Sequence, residues 1–152
     1  MDEINILYSD FLLLKELKVD LKIKKYILKE FLEAFPNPWK IIGITESALL
    51  ALKNNSYKIK SSITGKNLSI QRAHIYDRSK WYEELFNTEW SSHIDWYDFI
   101  ISRDVTVLAL SSENKKISSI PYIRFPDNHN LFRSSRITWS HGIEEIEFLK
   151  GL

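Results

Sequence analysis

Cysteine is absent from this 152-residue chain. That excludes disulfides, thiolate zinc sites and a cysteine nucleophile at once. Glycine is scarce, with four residues in all, and neither the Gly-x-Gly-x-x-Gly phosphate cradle nor the Gly-x-Ser-x-Gly nucleophile elbow is present. Long apolar runs are missing too: Lys15 and Lys18 interrupt the N-terminal one, so no membrane span is expected. The first residues, Asp2 and Glu3, are acidic rather than basic. A soluble, cytoplasmic protein without a secretory leader is the expectation. Charge of one sign is also lacking, since the net value is +1.

What is present is ample material for a core. The chain is 44% hydrophobic and 13% aromatic, too apolar for a disordered segment. Its length makes one domain the default, and no repeat, linker or low-complexity stretch argues otherwise. Charge is uneven along the sequence. Between Lys53 and Lys80 lie seven Lys/Arg and one acid, Asp77; between Trp81 and Asp104 lie six acids and only Arg103. A basic stretch joined to an acidic one suits an anionic ligand beside a metal, and equally an ordinary charged surface.

Helical periodicity runs over residues 3–17, with Leu7, Phe11 and Leu14 on one face, and over 20–35, with Ile23, Ile27 and Phe31 on one face. Pro36-Asn37-Pro38 stops the second helix. Thr45 can cap a short helix carrying Ala48, Leu49 and Leu52. Two arms near 57–63 and 68–76 form a candidate hairpin around the Thr64-Gly65 turn. Ser79 can cap a helix with Trp81, Tyr82, Leu85 and Phe86, and a second aromatic helix runs from about Ser92 to Ser102. Aromatic residues at this spacing read as core rather than as base-stacking platforms. Val105–Leu110 reads as a strand, and residues 120–126, with a proline near each end, as an edge segment. A short helix over Ile143–Leu149 closes the chain.

The chemistry-bearing stretch is Ile63-Thr64-Gly65-Lys66, followed by Leu68-Ser69-Ile70-Gln71-Arg72-Ala73-His74-Ile75. A tight turn leads into an alternating strand that ends on a histidine inside a basic stretch. This resembles the first half of the HNH (ββα-metal) nuclease motif, in which an Ile-Thr-Gly turn and an Ala-His-Ile strand end occur in this order. Val105–Leu110 followed by Ser111-Ser112-Glu113-Asn114-Lys115-Lys116 resembles the second half. The resemblance implies an α+β fold, with N-terminal helices beside a ββα-metal-like hairpin-and-helix core in a single domain. Residues 1–55 would be the helical part, 56–120 the nuclease core with the two aromatic helices as an insertion, and 121–152 a C-terminal extension.

The same resemblance implies a DNA endonuclease, of a restriction or phage-defence kind. His74 would be the general base that activates water. One divalent ion, Mg²⁺ by preference, would stabilise the leaving oxygen; with no cysteine, no structural zinc accompanies it. Asn114 would be a metal ligand, with Asp104, Glu113 or Asp77 completing the set, while Ala73 stands where the family often has an acid. Arg72, Arg78, Lys115 and Lys116 would contact the DNA phosphates, although both lysines read equally well as solvated charges. The N-terminal helices would brace the fold or form a homodimer surface. Asp104 with Glu113-Asn114-Lys115 also satisfies the short Asp…Glu-x-Lys pattern of restriction-type nucleases, although here it lies in a polar run rather than a strand. The reading of a different class is a non-catalytic α+β domain that binds nucleic acid or protein.

Overall fold

The computed structural model describes residues 3–33, 40–60, 68–135 and 138–152. The Pro36-Asn37-Pro38 stop and the Thr64-Gly65 turn lie outside the described residues. The architecture is α+β, with helices and a small mixed sheet. The chain divides into two compact units, each assembled from two stretches of sequence: 1–38 with 76–104, and 39–75 with 105–152. The linear partition at 55 and 120 cuts across both.

The first unit is helical. It holds α1 (Glu3–Glu16), α2 (Leu21–Glu33), α4 (Arg78–Asn87) and α5 (His93–Arg103). The expected face of α1 is buried through Leu7, Phe11 and Leu14. In α2 the buried face is rotated from the expected one. Leu28 and Leu32 are inside and Ile23 is 50% exposed, because Leu21 and Leu28 complete a stripe with Leu32 that Ile23 does not share. The core is aromatic: Phe11 lies 5.2 Å from Trp96 and 5.3 Å from Phe86, and Trp81, Tyr82, Leu85 and Ile100 join it. Asp77, not Ser79, caps α4, its Oδ1 accepting from Ser79 N at 2.9 Å and Lys80 N at 3.4 Å. A carboxylate at that place is favoured because it also meets the positive end of the helix dipole. Ser92 caps α5.

The second unit is built on a four-stranded sheet in the order β2-β3-β1-β4, from β1 (Lys40–Thr45), β2 (Ile70–His74), β3 (Val105–Leu110) and β4 (Tyr122–Arg124). The central pair β1/β3 is parallel, whereas β2 and β4 join as antiparallel edges. A shift in register falls between Ile41 and Ile44. There Gly43 lies so close to β4 that an added Cβ would stand 2.5 Å from Ile123 O and from the Tyr122 ring. Of the expected hairpin, Leu68 N donates to Ile59 O, and residues 61–67 lie outside the described residues. β2 pairs with β3, with α4 and α5 between the two strands in sequence.

One face of the sheet carries Ile41, Ile44, Ile70 and Leu108. It is covered by α3 (Glu46–Asn54) through Ala48 and Leu52, by Phe125 and Phe132, and by Leu149 of α6 (Ile143–Lys150). The other carries Ala73, Val107 and Ala109, under Ile117 of a 3₁₀ helix, Asn114–Ser119. A two-stranded ribbon, β5 (Ser134–Ser135) with β6 (Thr138–Trp139), precedes α6. No helix among the described residues is long and apolar enough to cross a membrane.

Candidate functional site

Side chains alternate along a strand, and residues paired across an antiparallel ladder share a face. In β2 the pairs are Ile70 with Leu110, Arg72 with Leu108 and His74 with Thr106. Ile70 and Leu108 belong to the cluster under α3, whereas Ala73 pairs with Val107 in the cluster under the 3₁₀ helix. Arg72 and His74 therefore stand on the first face, two residues apart, and Ala73 points the opposite way. Both are half-buried. The sequence places them there by simple alternation: Ile70 anchors the apolar end of the strand, and the polar pair follows toward its C-terminal end.

The row beside His74 is polar at its centre. Thr106 is fully buried and donates its hydroxyl to Lys40 O at 3.3 Å. Ile41 pairs with Thr106 on the other side, and its carbonyl is bonded to His129 Nε2 at 3.0 Å. The His129 ring is set among Phe125, Phe132 and Phe148, with centroids 5.4, 6.3 and 6.4 Å away. No local spacing in the sequence links His129 to β1.

The residues expected from the second half of the motif go elsewhere. Glu113 Oε2 accepts from the Thr45 hydroxyl at 2.7 Å and from Leu110 N at 2.9 Å, while Thr45 Oγ1 accepts from Ala48 N to cap α3. Thr45 is fully buried. Glu113 is thus a tie between the end of β3 and the start of α3. Asn114 opens the 3₁₀ helix, with Lys115 and Lys116 exposed on it. That helix packs on the Ala73 face, opposite to His74. It also follows Leu110, which pairs with Ile70 at the far end of β2, on the order of 13 Å along the strand from the His74 position.

Asp77, Arg78 and Asp104 belong to the helical unit. The Asp77 carboxylate caps α4. Arg78 lies 3.9 Å from Glu33. Asp104 is the C-cap of α5 and only 8% exposed. Tyr82 is buried beside these groups: burial pushes its phenol well above the ordinary range, Arg78 opposes the rise, and Asp104 and Glu33 add to it. The structure therefore gathers Arg72 and His74 but does not bring Asn114 or Glu113 to them. Among the described residues no group of three His, Asp or Glu side chains is close enough to hold a metal ion.

A second polar centre lies at the C-terminal end, and the sequence reading did not single it out. Glu145, 8% exposed, accepts from Gly142 N at 2.7 Å, Ser140 Oγ at 2.9 Å and Phe132 N at 3.3 Å. Burial works against its charge, but the bonds from Ser140, Gly142 and Phe132 outweigh that and hold its carboxyl below the usual glutamate range. The legible signal was an acid three residues after the glycine that opens α6. Its role is to fold the segment 132–142 onto that helix.

Comparison with protein-family models, with curated proteins and with solved structures finds no match.

Proposed function

We propose that this protein hydrolyses DNA phosphodiester bonds, with His74 as the general base and Arg72 as the phosphate contact. The observation that supports this best is the placement of Arg72 and His74 on one face near the end of β2. The chain order agrees with it: a strand ending on histidine, its antiparallel partner, then a short helix packed on that pair. In the reaction, water oxygen bonds to phosphorus as His74 takes its proton. The ester P–O bond breaks, and the departing oxygen is protonated from solvent. The positive charge of Arg72 attracts the phosphate, a contribution that positions the backbone without reading sequence.

A second reading is favoured by one observation, the packing of the Asn114 helix on the face away from His74. Under it the chain binds nucleic acid without cutting, through Lys115 and Lys116. One experiment separates the two. Purified protein is incubated with plasmid DNA in Mg²⁺, in Mn²⁺ and in EDTA, beside His74→Ala and Arg72→Ala. The hydrolase reading expects nicking or linearisation that His74→Ala lowers at least about 100-fold while circular dichroism stays unchanged. Intact plasmid in every lane, with salt-sensitive retardation of the same DNA, overturns it in favour of binding alone.

A further inference from the structure

Tyr76 is 39% exposed, yet its ring is fixed. The Arg103 guanidinium lies 4.9 Å from its centroid and 5.3 Å from that of Phe99. Phe99 is in turn 5.0 Å from Trp90, and Glu84 stands 3.9 Å from Arg103. The result is a ladder, ring on cation on ring, rooted in the aromatic core of the helical unit and ending at an open tyrosine. Tyr26 differs: it is 64% exposed and has no ring or cation against it among the described residues. A partly exposed ring held against a cation is prepared for a flat partner, because part of its side-chain entropy is already spent.

We infer that Tyr76 is a stacking platform for an unpaired nucleobase. The inference rests on the nucleic-acid reading above and narrows its ligand to single-stranded or locally opened strands, since a duplex keeps its base faces covered. Charge supports the same ligand. Lys80 is exposed and has no ion-pair partner among the described residues. It lies four positions after Tyr76, at most about 14 Å along the chain, so its ammonium reaches a phosphate flanking the stacked base.

The test is fluorescence anisotropy at fixed salt, with a fluorescein-labelled oligothymidylate and a duplex of equal length. The proteins are wild type, Tyr76→Ala and Tyr76→Phe. Tyr76→Ala is expected to weaken oligothymidylate binding about tenfold and leave duplex binding unchanged; Tyr76→Phe, which keeps the ring, should match wild type on both. Tyr76→Ala equal to wild type on oligothymidylate, with native circular dichroism, overturns the stacking site alone. Equal weakening on both probes overturns it as well, because that reports charge or fold. Wild-type protein that binds neither probe overturns the stacking site and the nucleic-acid reading together.

Discussion

The helical unit and the sheet unit fill their cores with different material. In the helical unit large rings fill the core, and the indole N–H groups of Trp81 and Trp96 have no hydrogen-bond partner among the described residues. Ring area outweighs the desolvation of those groups: a buried indole removes roughly 150–250 Å² from water, whereas one unmade hydrogen bond costs about 1–3 kcal/mol. In the sheet unit the core is mainly aliphatic and phenylalanine, and several buried polar groups are held by directional bonds: Thr45 to Glu113, Glu145 to three donors, His129 Nε2 to Ile41 O, and His141 Nε2 to Tyr57 O at 2.7 Å. Non-directional packing suffices where helices supply their own backbone bonds. A small sheet with long excursions between its strands needs directional ties to fix those excursions.

That contrast can be broken by substitution. Trp96→Ala, at a fully buried position, should cost about 4 kcal/mol in urea unfolding, and Trp96→Phe, which deletes the unpartnered N–H but keeps a ring, less than half of that. Equal losses would mean that the indole N–H contributes after all. Glu145→Ala should cost about 3 kcal/mol by orphaning three donors. Its acid dependence has a definite sign. The folded carboxyl titrates below its unfolded value, so its contribution is complete above the unfolded value near ~4.3. It is lost as pH falls through the lower folded value, and Glu145→Gln should flatten that part of the stability curve.

Glu113→Ala should lower stability by about 2 kcal/mol even in EDTA, since it frees Thr45 and Leu110 N. A carboxylate kept for a cation would behave the other way, its removal leaving metal-free protein unchanged or firmer. Lys150→Ala breaks an exposed pair with Glu147 and should move the unfolding midpoint by no more than about 0.5 kcal/mol.

The helices were legible because each declares itself locally. Leu7, Phe11 and Leu14 recur at helical spacing, and Trp81, Tyr82, Leu85 and Phe86 do so four residues after a capping acid. β3 and β4 were legible as strands, yet their partners were not. The hairpin reading set 68–76 beside 57–63 because neighbours in sequence usually pair, and it gave no sign that β2 pairs with β3 across two intervening helices. β1 was missed outright: Ile41, Ile42 and Ile44 form a short apolar run that periodicity alone does not distinguish from the start of the next helix. Of the site, Arg72 and His74 were legible as a strand pair by alternation. The destination of Glu113 was not, because its partner Thr45 is remote in sequence and looked complete as a helix cap.

Ile75 N donates to Val105 O at 3.3 Å, so the whole stretch 76–104 departs from the sheet and returns to it through adjoining residues. Such a junction has the form of a splice site. A two-residue type I′ turn spans a gap of that kind, so Asn-Gly joining Ile75 to Val105, in a chain begun at Trp39, makes the sheet portion available as a minimal scaffold. The same gap is a ready address for inserting a foreign domain whose own termini lie side by side.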